Sequence, residues 1–173
     1  MILRPYLRPM LAALVTCAVL LPAAMAMAAP VILKADAIKA AADGHTLDLN
    51  GRAHATQGAL LIRGDNMIVT LAPGAKPDQG RVESGGITGI EASGWVHVMI
   101  RDQVTADGQW VRYDPAAHSL TMGDSVTLWQ DGATSKGSKL TLDTQTGKAD
   151  LSGESGSTKG DALPPPWINE RAK

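Results

Sequence analysis

Phenylalanine is absent from this 173-residue chain, and only two tyrosines and four tryptophans stand in for it. A surface that binds nucleic acid needs aromatic rings to stack bases and a basic stripe to meet phosphates. Here the 16 Lys and Arg are scattered singly against 17 Asp and Glu, for a net charge of −1. Nucleic acid is therefore excluded as a partner. Cysteine is nearly missing too: Cys17 stands alone, inside the apolar N-terminal stretch. If that stretch is removed, the remaining chain has no disulfide, no thiol nucleophile and no cysteine metal site.

Residues 1–28 read as a secretory signal peptide. Met1–Arg8 carries Arg4 and Arg8 and no acid, and Met10–Leu21 is almost wholly apolar. Ala24-Met-Ala26 and Ala26-Met-Ala28 supply small-x-small cleavage sites, which predicts cleavage near Ala28. The apolar run of about 12 residues falls short of the ~20 that span a bilayer. Because Pro22–Ala29 is also apolar, an uncleaved membrane anchor is the alternative. Loss of Arg4 and Arg8 moves the net charge to about −3.

What the chain does have is a repeat. Gly94 maps on Gly123, Gly108 on Gly137, Val111-x-Tyr113 on Leu140-x-Leu142 and Asp114 on Asp143, all at one offset. A weaker copy begins at Gly51-Arg-Ala-His and continues through Gly64-Asp-Asn-Met67-Ile-Val69. Each copy is two runs of alternating apolar and polar residues, which is the mark of half-covered strands. Gly, Asp, Asn, Gln or Ser separates the runs, so each unit is predicted to be strand, turn and strand. One unit cannot bury its own apolar face, whereas a stack can. The expectation is an all-β domain over 29–153, an antiparallel meander followed by a flexible, proline-rich tail over 154–173. The 13-residue step from Gly51 to Gly64, against 14 in the later copies, calls for a bulge before the second glycine.

Between the repeats, Pro30–Asp36 reads as a first strand and Ala37–Ala42 as a turn or helical stub. Pro73–Gly80 is a loop by composition, extended through Arg81–Gly86, and Ile87–Glu91 is a further short strand. This is an insertion into the first repeat, of a size that usually marks a functional or mobile loop.

No catalytic constellation emerges, and neither an enzyme nor a cofactor is expected. His54 and His97 hold the same place in their repeats, so common descent explains them better than a metal site does. Asp65, Asp107, Asp114, Asp124, Asp131 and Asp143 flank turns, where short carboxylates bind neighbouring amides. Ser84, Ser93 and Ser119 lack a nucleophile-elbow context, and Gly85-Gly86 with Gly89 forms no phosphate loop. The candidate functional residues are instead a set of aliphatic side chains and one ring assigned to a single face. They are Val31, Leu33, Leu49, Met67, Val69, Val96, Val98, Val111, Tyr113, Met122, Leu128, Leu140 and Leu142. Leu47, Leu120 and Val126 belong to the same face. One reading is an ordinary filled sandwich core. The other is a folded-over sheet whose inner faces do not quite close, leaving a slot for acyl chains. Edge strands left open at both ends would then pair with partners.

Pro30-Val-x-Leu-x-Ala-Asp36, Ile62-Arg-Gly-Asp-Asn-Met67, Val111-Arg-Tyr-Asp-Pro115 and Lys136-Gly-Ser-Lys-Leu-Thr-Leu142 follow one another in this order. Together they resemble the OstA-like family over Pro30 to about Leu151. The resemblance implies an open, twisted antiparallel β-jelly roll that carries lipopolysaccharide through the periplasm with its lipid A acyl chains inside. It also implies head-to-tail self-association through edge strands, linking an inner-membrane extraction complex with an LptC-like component to an outer-membrane, LptD-like translocon. Val31 and Leu33 would lie on the N-terminal edge, and Tyr113 would point inward. Trp110 and the Gly94–Gly108 register depart from the family pattern, and the proline-rich tail has no counterpart in it. Two alternatives stand beside this carrier: an LptC-like membrane-anchored assembly factor, and a structural β-repeat protein with a filled core.

Overall fold

The computed structural model describes residues 29–153 and the backbone of 157–159; the leader and the rest of the tail lie outside the described residues. The chain opens with β1 (Val31–Lys34) and β2 (Ala37–Ala40), then two long strands, β3 (Thr46–Gln57) and β4 (Leu60–Leu71). After β5 (Arg81–Val82) come β6 (Ile87–Ile100), β7 (Val104–Asp114), β8 (Ser119–Gln130) and β9 (Ala133–Asp143). The C-terminal pieces are β10 (Ala149–Ser152) and β11 (Ser157–Lys159). All pairings are antiparallel, in the order β10-β9-β8-β7-β6-β4-β3-β1-β5, with β2 added on β3 and β11 on β9.

The repeat glycines do not separate strands. Gly51, Gly64, Gly94, Gly108, Gly123 and Gly137 sit inside the six long strands, where neighbouring ladders slip register. Three of these strands carry two consecutive left-handed residues there: Gly51-Arg52, Gly94-Trp95 and Asp124-Ser125. A bulge bends its strand, and bulges aligned across six strands crease the whole sheet. The hairpin turns fall elsewhere, at Arg101-Asp102, Pro115–His118 and Asp131-Gly132. The predicted strand–turn–strand unit is thus half of one creased strand joined to half of the next.

Two hydrogen bonds reveal what the crease does. Tyr113 lies near one end of β7 and Gln57 at the opposite end of the ladder, where β3 pairs with β4. In a flat sheet those ends would stand about 30 Å apart along the strand direction. Instead the Tyr113 hydroxyl donates to Gln57 Oε1 at 3.2 Å. Likewise Arg101 Nη2 donates to the Gln145 carbonyl at 2.8 Å, joining the β6–β7 turn to the β9–β10 turn. The sheet is folded over along the glycine line into two facing arms. The first arm carries β2, the Thr46–Asn50 half of β3 and β10; the second carries β1, the Ala53–Gln57 half and β11.

Inward residues of both arms form one hydrophobic cluster, from Val31 through Leu142. Alternation holds through the first arm. It fails in the second, where the outward residues Leu61, His97, Met99, Thr105 and Thr134 are buried as well.

Two expected segments change. Ala37–Ala40 is a strand, because Asp43 accepts amide hydrogens from His45 and Thr46 and so makes the following turn a tight hairpin onto β3. Within the predicted loop, Arg81-Val82 pairs with Ile32-Val31, and the Leu33 amide donates to the Gly80 carbonyl. The insertion thereby covers the outer side of β1. In the tail region, Ser157–Lys159 pairs with β9.

Candidate lipid-binding interior

Each of the thirteen candidate residues points into the space between the arms. Val31, Leu33, Val96, Val98 and Leu128 come from the second arm; Leu49, Met67, Val69, Val111, Tyr113, Met122, Leu140 and Leu142 come from the first. All are buried, Leu128 being the least so. The fold brings the set together, and their side chains meet one another across the interior.

The ladder registers arrange them in rows. One row crosses the first arm as Ile38, Leu49, Met67, Ala92, Val111, Met122, Leu140 and Leu151. Seven strand spacings make it roughly 34 Å long. A parallel row runs Leu47, Val69, Ile90, Tyr113, Leu120, Leu142 and Ala149. Neither row contains a charge or a hydrogen-bonding side chain apart from the Tyr113 hydroxyl. Both rows crop out at the sheet edges: Ile38 is 43% exposed, and Leu151 and Ala149 are only partly buried.

Tyr113 is the one aromatic ring among the described buried residues. Burial pushes its phenol above the ordinary tyrosine value, and the neighbouring Asp114 charge adds to this against a hydrogen bond with Thr144. The ring therefore stays neutral and donates across the interior. Where the two arms' free ends meet, a cavity of about 610 Å³ opens, with Leu60, Ile87, Ile100 and Tyr113 in its wall.

Ile62, in the second arm, and Ile90, in the second row, are both fully buried and were missed in the sequence. Ile62 hides in the unalternating run Leu60-Leu61-Ile62, and Ile90 in what reads as a short separate strand. The signal that could have found them is register: each lies opposite a candidate already named, Ile62 beside Val98 and Ile90 beside Tyr113.

His54 and His97 take no part in the interior. They flank Arg63 on the outer face of the second arm, and His97 Nδ1 pairs with Asp107. Among the described residues, no group of three or more His, Cys, Asp or Glu is placed to hold a metal ion. The turn reading of the acids holds at Asp114 and Asp143, each accepting two backbone amides.

The family profile described as LptA/(LptD N-terminal domain) LPS transport protein matches residues 33–148, spanning the six creased strands. The chain belongs to this family. The OstA-like, LptA-like resemblance read from the motifs is thereby confirmed, and the family is one of transport. Among solved structures the chain is similar to LptH of Pseudomonas aeruginosa, described as the LptA-homologous periplasmic component of the conserved lipopolysaccharide transport device. The two share 17% identity and superpose with a TM-score of 0.59, over 80% of this chain and 90% of that one. At that identity the likeness is one of fold, and it agrees with the open antiparallel jelly roll. No curated protein matches the chain. Among the described residues no helix is long and apolar enough to cross a membrane.

Proposed function

We propose that this LptA-like protein is a periplasmic lipopolysaccharide carrier that shields lipid A acyl chains between its arms. Copies abut edge to edge, and the array bridges an LptC-like partner at the inner membrane to an LptD-like partner at the outer membrane. The observation that carries this reading is the apolar row from Ile38 to Leu151, which crosses the first arm and emerges at both edges, with the parallel row surfacing beside it at Ala149. Each methylene kept from water is worth ~0.8 kcal/mol, so a multi-chain lipid needs continuous cover along its route. A row that surfaces at both borders lets one copy's interior continue into the next. Transfer along such a path needs apolar continuity and no catalytic group.

The interior is closed by its own side chains, so loading requires the arms to part about the crease. Across the mouth run the Tyr113–Gln57 and Arg101–Gln145 side-chain hydrogen bonds, and beside them the short backbone pairing of β5, inserted between the first-arm ends of β4 and β6, with β1 of the second arm. Each such bond is worth about 1 kcal/mol net, small beside the burial of several acyl chains. The same closed packing favours one other reading, a structural β-repeat protein with a filled core. A photocrosslinking residue at Tyr113 or Leu33 separates the two. The carrier captures lipopolysaccharide in cells from at least one of these positions, whereas recovery of protein adducts alone from both supports the filled core.

A further inference from the structure

The cavity between the free ends of the arms combines two chemistries. Leu60, Ile87, Ile100 and the Tyr113 ring form its apolar wall, and Arg101 and His118 stand among its lining residues. Arg101 is the one permanently charged side chain in the lining, and no carboxylate lines the cavity. The mouth thus offers a greasy base and a cationic rim. Both rim residues sit at turn positions with positive φ, +51° for Arg101 and +50° for His118. Arg101 and Asp102 together take the left-handed pair of the β6–β7 turn, which the Gln103 amide closes on the Ile100 carbonyl, and Asn-Gly is the usual and cheaper choice for such a pair. An arginine held there is conformationally costly, and strain of this kind gathers at functional positions.

We propose that Arg101 is a headgroup latch, binding the anionic headgroup (phosphate or carboxylate) of an amphiphile whose acyl chains lie between the arms. The inference rests on the acyl-shielding reading above and adds to it the polar end of the cargo. In the closed protein, Arg101 Nη2 donates to the Gln145 carbonyl and holds the arms together. A guanidinium has five donors in a planar fork matched to phosphate and carboxylate, so most of its capacity is unspent in that single bond. When the arms part, the bond to Gln145 breaks and the fork turns to the incoming anion, so that the same side chain serves the shut and the loaded states.

Calorimetric titration of the full exported protein with dodecyl phosphate, dodecyl maltoside and inorganic phosphate tests this. Both amphiphiles bind the wild type. Arg101→Asn, which suits the left-handed turn and so spares the hairpin, weakens dodecyl phosphate at least about tenfold. It does not weaken dodecyl maltoside, because losing the bond to Gln145 only eases the parting of the arms, and Arg101→Lys recovers part of the loss. Unaltered dodecyl phosphate binding by Arg101→Asn, or equal loss for both amphiphiles, overturns the headgroup role while leaving the acyl slot standing. Competition by inorganic phosphate at low millimolar concentration assigns the site to free anions and overturns it too. If the wild type binds neither amphiphile, the slot itself is disproved, and the latch with it.

Discussion

Gly94 carries two constraints at once. Its φ is +76°, and a Cβ placed on it would stand 2.6 Å from a carboxylate oxygen of Asp65. Gly132 has a similar φ, +73°, with open space around it. Gly132→Ala therefore measures the left-handed backbone alone, and Gly94→Ala measures backbone plus clash. We expect each to lower stability, by about 1–3 kcal/mol for the backbone effect, with Gly94→Ala the worse of the two in urea unfolding. Equal losses would mean that the crease yields freely at that point. Three carboxylates give a second prediction at this scale. Asp36 is held below the usual carboxylate value by its bond from Arg52, Asp43 by the His45 amide and Thr46, and Asp143 by the amides of Thr146 and Gln145. A carboxyl with a depressed folded pKa stabilises the fold above its unfolded value, near 3.8 here, and stops doing so as pH falls through the folded one. The urea midpoint should thus be flat above pH 5 with respect to these groups and drop below about pH 4. In Asp43→Asn combined with Asp143→Asn, the drop should be shallower.

Among the elements, the edges decide whether copies can join, and they are not alike. On the second arm β1 is covered by β5 and by the Leu33–Gly80 bond, so the insertion in the first repeat acts as an edge guard. On the first arm β2 pairs only with β3, and its Ile38 side chain stays largely exposed. The first arm's β2 edge is therefore the better docking edge, and Leu33, inside a guarded strand, is a poor place to disrupt assembly. Ile38→Lys puts a charge at the open border, the device by which natural edge strands avoid pairing. Light scattering across a concentration series should show the wild type self-associating and Ile38→Lys shifted toward monomer. A wild type that stays monomeric throughout removes edge pairing from the proposal. Strand content was legible because alternation is a local property; Thr46-Leu-Asp-Leu-Asn and Lys139-Leu-Thr-Leu-Asp each show it within five residues. Ala37–Ala40 was not legible, since its residues favour a helix and only pairing with β3 draws them out.

At the scale of the molecule, the folded-over sheet turns a one-dimensional repeat into a trough with a crease, a mouth and two borders. Its walls are aliphatic, and its mouth is tied by two side-chain hydrogen bonds and the short β1–β5 ladder. The proposed carrier would have to loosen these ties to load and release lipid. The sequence by itself determined most of the strands, the repeat and the apolar identity of the inner face, because each depends on residue type and short-range spacing. Only the tertiary structure decided that the recurring glycines mark a crease rather than turns. It alone brought Tyr113 to Gln57 and Arg101 to Gln145, and left Ile38 bare while Leu33 is guarded. The reason is physical: a bulge and a turn draw on the same small or left-handed residues, and which one forms depends on whether neighbouring strands continue the ladder past them.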